Sequence, residues 1–488
     1  MSDSSNEELW EPARLIPVSG IRGAVEQERR GVSALLAVLL SVREFGRTLT
    51  TRFGAPAGVI EAFIEVPFTL GDQKFRPDGL IRVTRASKAW VALVEVKTGS
   101  ATLAAPQVEG YLDIARKQGF DAVITISNQI ESAPGLHPVA VDRRKLKKVG
   151  LHHLSWSQIH TDAIIQKVNR SVSDPDQAWI LSEFVRYLES KQSGAADLED
   201  MGPSWVTVRD AARDSLLEAD KRARDVVERF DQLLAYAAML LSRQLGIEVK
   251  QVLSGKDLAD PEARFGAQTA VLAETGRLSG SLLIPNAVAA LTLTVDLRAS
   301  RIECSVLVDA PARSQQQAKV NWMLRQLADA PSQLRIEAVV AYAHQAGPSA
   351  TVSELLADPK IITPDASHDL RRFRLTLSRK SGKKGGQGQG SFIGAVTALV
   401  EDFYVNVVQT LKPWTPPASQ VKATVKPGTG PGTATPLTQV KDESPAASAH
   451  ADPPPGTSMA VPALQDGASP AVSPPRNPGA APGWRTRP

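Results

Sequence analysis

Cysteine is nearly missing from this chain: Cys304 is the only one among 488 residues. A lone thiol excludes an intramolecular disulfide framework and fits a reducing cytoplasm, the localisation expected here. Cys/His clusters at zinc-ligand spacing are missing as well. The N-terminal Met-Ser-Asp-Ser-Ser-Asn-Glu-Glu is acidic and polar, unlike a secretory signal. The longest apolar run we read, Ser33 to Val42, is too short to span a bilayer, so no membrane partner is expected. A strong charge bias is also lacking. With 56 Lys and Arg against 52 Asp and Glu, a net charge of +4 permits nucleic-acid binding without arguing for it. The length gives room for two or three domains and at least one sizeable core.

What the chain does have is a concentrated stretch of chemistry: Arg76-Pro-Asp-Gly-Leu80, then Val94-Glu-Val-Lys-Thr-Gly99, then Gln107-Val-Glu-Gly-Tyr111. Asp78 opens a short apolar run that reads as a strand. Trp90 to Lys97 reads as a second strand, whose period of two puts Glu95 and Lys97 on one face. Gln107 and Tyr111 are four apart in a helical stretch and share a face of it. Two carboxylates at adjacent strand ends can hold a hard divalent cation, and the lysine can steady a water beside it.

Pro77-Asp78, Glu95-Val-Lys97 and Gln107-x-x-x-Tyr111 resemble the PD-(D/E)xK nuclease superfamily, the last motif being similar to that of its RecB-like branch. The resemblance covers roughly residues 20–170. It implies phosphodiester hydrolysis in DNA. Asp78, Glu95 and the Val96 carbonyl would ligate Mg²⁺ or Mn²⁺, and Lys97 would orient the attacking water and stabilise negative charge. Gln107 and Tyr111 would brace the lysine, the substrate phosphate or both. A first helix is expected from about Ala24 to Leu49, with Val25, Val32, Leu35, Leu36, Leu39 and Val42 on one face. Glu28 falls within that stripe, where a carboxylate needs a partner or a metal. In the resembled superfamily an acidic residue often occupies the first core helix near the metal. A salt bridge with an arginine at the core edge is the other reading of Glu28.

The remaining elements follow from pattern. Glu61 to Leu70 alternates like one strand, Gly71 to Arg76 turns the chain, and three strands form an antiparallel meander. Pro106 suits the first turn of the next helix and Gly119 its end. Asp121 to Ser127 reads as a buried strand. The run Arg143-Arg-Lys-Leu-Lys-Lys148 offers Arg143, Arg144, Lys145, Lys147 and Lys148 as contacts to a DNA backbone, or as a solvated loop. His152 and His153, on a strand from Gly150 to Ser155, read as packing or surface rather than as ligands. Helices follow at 174–190 and 206–245. In the second, Leu216, Ala219, Ala223, Val226, Phe230, Leu233, Ala237 and Leu240 form a heptad-like stripe. That stripe suits either a homodimer through 206–245 or a hairpin onto the 174–190 helix. Strands are expected at 281–285, 290–297, 301–308, 334–342 and 370–377, with helices at 314–329 and 391–411. The basic, Gly-rich loop Arg379 to Ser391 lacks the Gly-Lys-Ser/Thr ending of a phosphate-binding loop.

The expected fold class is therefore α/β. A flexible N-terminus (1–19) precedes a restriction-endonuclease-like αβββαβ core (20–170). A helical hairpin or coiled-coil segment (171–246), a second α/β domain (247–412) and a disordered Pro/Ala/Gly-rich tail (413–488) follow. The expected function is a Mg²⁺-dependent DNA nuclease. A non-catalytic DNA- or partner-binding scaffold with a nuclease-like core is the alternative.

Overall fold

A helix that starts at Ala24 buries Val32, Leu35, Leu36 and Leu39, as its stripe requires. In this computed structural model, which describes residues 15–16, 23–212, 221–312, 315–341, 346–364, 369–386 and 390–415, it does not run on to Leu49. The chain forms α1 (Ala24–Ser41) and α2 (Arg43–Thr51), separated by Val42 in extended backbone (φ −104, ψ 92). The break drives the Val42 and Phe45 side chains fully into the core. Val25, assigned to the apolar face, lies in the first turn and is exposed.

The strand expected over 61–70 is likewise two elements. β1 (Val59–Ile64) stops where Glu65 takes a positive φ of 48. β2 (Phe68–Leu70) and β3 (Gln73–Phe75) then pair only with each other, across a turn at Gly71. β4 (Gly79–Arg85) and β5 (Lys88–Val96) are antiparallel, in the register Gly79 opposite Val94. α3 (Ala105–Gln118) has Pro106 in its first turn and ends on Gly119 at φ 71. It is the crossover that lets β6 (Ala122–Ser127) run parallel to β5. β7 (Gly150–Ser155) pairs parallel with β6, giving a sheet of order β1-β4-β5-β6-β7. One face, through Trp90, Ala92, Val94 and Val96, packs on α1, α4 (Trp156–Ile165) and α5 (Pro175–Glu189). The other face, through Leu93 and Val123, packs on Val108, Leu112 and Ala115 of α3.

The segment 171–246 is not a module with its own core. Leu181, Phe184, Tyr187 and Leu188 of α5 complete the first core. α6 (Trp205–Ala211) and α7 (Lys221–Leu245) belong to the second. Residues 213–220, with the stripe positions Leu216 and Ala219, lie outside the described residues. Ala223, Val226, Phe230, Leu233 and Ala237 are buried within the chain itself. α7 packs on α4, α9 and β9 rather than folding back on α5.

The second core is built on β8 (Lys250–Gln251), α8 (Gly255–Ala259), α9 (Pro261–Thr275), β9 (Arg277–Leu283), β10 (Leu291–Asp296), β11 (Arg301–Asp309), α10 (Gln316–Gln326), β12 (Arg335–Val340), β13 (Ser349–Thr351), α11 (Val352–Ala357), β14 (Leu370–Lys380) and α12 (Phe392–Asn406). Its seven strands, in the order β13-β12-β14-β11-β10-β9-β8, are antiparallel throughout. Alternate residues of β11 (Ile302, Cys304, Val306, Val308) and β14 (Phe373, Leu375, Leu377) face the core. By length and composition the stretch Phe392–Thr410 could cross a bilayer, longer than any run singled out in the sequence. Here its Phe392, Val396, Leu399 and Phe403 pack in the second core, with α12 lying on β11 and β14. The chain is thus mixed α/β, and all described residues fall within one packed unit, 1–418. The tail expected over 413–488 lies outside the described residues from 416 onward, as does most of 1–19.

Candidate active site

The β4–β5 register places Asp78, one residue before β4, opposite Glu95 near the end of β5. The Val96 N–H donates to Asp78 Oδ2 at 2.7 Å, which ties the loop carboxylate to the strand end. Glu95 points to the α3 face and is 1 % exposed. Its Oε1 accepts from Lys97 Nζ at 2.7 Å and from Gln107 Nε2 at 2.7 Å. Gln107 Nε2 also donates to the Tyr111 hydroxyl (3.2 Å), which in turn donates to the Arg76 carbonyl (3.5 Å). From the other side α1 brings Glu28, whose Oε2 lies 3.7 Å from Lys97 Nζ. The partner of Glu28 is this lysine rather than an arginine. The structure therefore gathers Glu28, Asp78, Glu95, Lys97, Gln107 and Tyr111 in one cluster.

The electrostatics of the cluster follow from burial and crowding. Burial, then the charge of Asp78, pushes Glu95 up to about 7. Burial also raises Asp78, against the pull of the Val96 N–H and Lys97. For Lys97 burial acts downward, but the hydrogen bond to Glu95 and the surrounding carboxylates outweigh it and hold the ammonium charged. Burial and the nearby Glu95 charge raise Tyr111, so its hydroxyl stays protonated and can donate. The backbone at Lys97 is fixed by Trp156, whose indole N–H donates to the Lys97 carbonyl at 3.0 Å. Gly31 of α1 leaves room for that ring, which a Cβ would meet at 3.4 Å.

One observation bears directly on whether a cation fits. Glu95 Oε2 is buried with no hydrogen-bond donor. An ionised carboxyl oxygen left this way is costly unless a cation completes its surroundings. The donors at hand are two carboxylates and a strand-end carbonyl, all hard oxygens suited to Mg²⁺ or Mn²⁺. Among the described residues no group of three or more His, Cys, Asp or Glu side chains could hold a metal ion. Any cation here would rest on two side chains and keep several waters.

The basic run is placed elsewhere. Arg143–Lys147 form a short 3-10 turn, and Lys145 is engaged by α3, 2.5 Å from Asp113 and 3.6 Å from Glu109. Those carboxylates lie roughly 200° around the helix from Gln107 and Tyr111. Lys145 is thus a structural tie, not a free phosphate contact, while Arg143, Arg144, Lys147 and Lys148 are exposed. His153 is buried on Thr125 Oγ1 (2.9 Å) and the Gln129 carbonyl (2.8 Å), and burial lowers it to about 4. His152 packs against the Phe53 ring. A cavity of about 630 Å³, lined in part by Arg52, Phe53, Glu131, His152 and Met239, includes none of the cluster residues.

Three residues at the cluster went unread in the sequence: Arg29, Glu65 and Arg76. Arg29 Nε and Arg76 Nη1 both contact the Glu65 carboxylate, at 2.9 and 3.2 Å. For the two arginines, adjacency to Glu28 and to Pro77-Asp78 was the available signal; Glu65 carried none. Compared with family models, curated proteins and solved structures, the chain finds no match.

Proposed function

We propose that residues 20–170 form a divalent-metal-dependent DNA phosphodiester hydrolase with a restriction-endonuclease-like core. The observation that carries this reading is the crowding of carboxylates: half-buried Glu28 and Asp78 and buried Glu95 gather around a single ammonium, Lys97, and the buried Glu95 Oε2 has no hydrogen-bond partner. The element order from α1 through β6 also supports it, with two antiparallel sheet strands, a crossover helix and a parallel strand after β1.

Asp78, Glu95 and the Val96 carbonyl would hold the cation, which when bound lowers the pKa of a water and offsets phosphate charge. The water oxygen attacks phosphorus, the opposite P–O bond breaks, and the departing oxygen takes up a proton. Lys97, held charged by Glu95 and Glu28, positions the attacking water and stabilises the charge that develops on the phosphoryl oxygens. Gln107 keeps Glu95 in place and Tyr111 keeps Gln107 in place, so both act through the carboxylate.

The test is cleavage of plasmid and of linear single- and double-stranded DNA with Mg²⁺ or Mn²⁺. Wild type runs beside Asp78→Ala and Lys97→Ala, with an EDTA control. Each substitution is expected to lower cleavage by about 10²-fold or more. A folded wild-type protein that cuts none of these substrates would sink the reading. A second reading, a non-catalytic DNA- or partner-binding scaffold, draws on the lack of a three-side-chain metal group among the described residues. DNA binding without cleavage would favour it.

A further inference from the structure

We propose that Arg29 and Arg76 form a phosphate-binding subsite at the mouth of the acidic cluster, and that the Glu65 carboxylate occupies this subsite when no DNA is bound. The inference rests on the hydrolase reading above and names how that site would take hold of its substrate. Arg29 follows Glu28 on α1, and Arg76 precedes Pro77-Asp78, so both guanidinium groups are carried by the backbone that carries the cluster acids. They converge on one carboxylate from two elements distant in sequence, each taking its own oxygen: Arg29 Nε on Oε1, Arg76 Nη1 on Oε2.

A carboxylate shared in this way presents the charge and the two-oxygen edge that a phosphate presents. The neighbouring Arg82 shows the contrast. It takes both oxygens of Glu61 through its own fork, at 2.8 and 2.9 Å, which is the arrangement of a pair complete in itself. Arg29 and Arg76 are 65 % and 60 % exposed, and among the described residues each makes a single ion pair, with Glu65. Exposed pairs of this kind are weak, so a phosphate carrying equal or greater charge can take the place of Glu65 at little cost.

The backbone of Glu65 adds an independent reason. Its φ of 48 is the left-handed region, where a glutamate is uncommon. Its N–H donates to the Asp78 carbonyl at 3.1 Å, which holds this conformation beside the cluster. Strained non-glycine residues that the surroundings hold in place gather at binding sites. Here the conformation ends β1 and turns the carboxylate to the two arginines.

The phosphate could be an internal phosphodiester next to the bond that is cut or the terminal phosphate of a DNA end, and the test separates the two. Full-length Asp78→Ala protein, which does not turn over its ligand, is titrated into labelled single- and double-stranded oligonucleotides with 5′-phosphate, 3′-phosphate or hydroxyl ends, over a range of salt. Closed-circular DNA serves as competitor. Adding Arg29→Ala and Arg76→Ala together is expected to weaken binding about tenfold or more and to flatten the salt dependence by about one to two counterions. Glu65→Gln is expected to tighten binding several-fold, an effect that a misfolded variant would not imitate. Arg374→Ala, on the second sheet, should change nothing. Loss of the arginine effect on hydroxyl-ended strands assigns the subsite to a terminal phosphate, and its persistence with circles assigns it to an internal one. If the parent binds DNA but neither the arginine pair nor Glu65→Gln alters the affinity, the subsite is refuted and the hydrolase reading stands. If the parent binds no DNA and wild type cuts none, the hydrolase reading falls and the subsite with it.

Discussion

In the core of the seven-stranded sheet, Asp231 and Arg264 meet fork to fork at 2.5 and 2.7 Å, 0 % and 7 % exposed. On α10, the buried Lys319 ammonium donates to Asp369 and to the Leu370 carbonyl. At the end of β5, by contrast, Glu28, Asp78 and Glu95 share one ammonium, and a buried oxygen of Glu95 has no donor. Both regions keep a carboxylate almost wholly buried, Asp231 in one and Glu95 in the other, and they differ in how that charge is matched. A fold selected for stability alone matches each buried charge it keeps, because an unmatched one is expensive. Unmatched charge of one sign, held at a strand end by a glutamine that a tyrosine braces, supports a role in holding something of opposite charge.

The largest expected effect lies in the matched region. Arg264→Ala should cost about 3–5 kcal/mol in denaturant unfolding, because it leaves Asp231 buried and alone. An unchanged midpoint would mean that the second core tolerates unmatched charge too, and the contrast would lose its meaning. A smaller effect of opposite sign is expected from Glu95→Gln in EDTA. Glu95 binds a proton in the folded chain up to about 7, against the ordinary carboxylate value of 4.5 when unfolded. The folded state therefore holds this extra proton between those values, and the contribution of Glu95 to stability is full below pH 4.5 and is lost as pH rises through 7. The Gln variant should escape that decline and gain of order 1 kcal/mol at pH 8, with no gain at pH 4. Thermal unfolding against pH measures this, and the same variant should lose Mg²⁺-dependent cleavage. The smallest effect is Arg374→Ala, which opens a half-exposed pair with Glu337. It should move stability by less than about 0.5 kcal/mol and leave cleavage alone.

The cluster was legible because its chemistry follows short-range geometry. A period of two aligned Glu95 with Lys97, a four-residue step aligned Gln107 with Tyr111, and the phase of the first helix singled out Glu28. What failed depends on partners far away in sequence. Nothing local marks Val42 as the break between α1 and α2, since its extended backbone is stabilised by the core it enters. The alternation from Ala62 to Phe68 gave no sign that Glu65 would reverse the backbone. A heptad stripe says that one face of α7 is apolar, but not whether a second chain or the same chain covers it. A run of basic residues does not show that Lys145 ends on Asp113. The all-antiparallel order of the second sheet was hidden for the same reason: β14 lies between β11 and β12, a pairing no neighbouring residues encode.

The β2–β3 ribbon makes no ladder with the five-stranded sheet. It is held by rings instead, Phe75 over Gly110 of α3, where any Cβ would collide, and Phe68 edge-on to Phe120 just beyond that helix. Its tip, Asp72 to Lys74, is exposed. A ribbon fastened by side chains alone can be lengthened, shortened or exchanged without shifting the register of any strand that carries Asp78 or Glu95. The tip beyond Phe68 and Phe75 is thus a part of this half that a designer could rebuild while leaving the acids where they are.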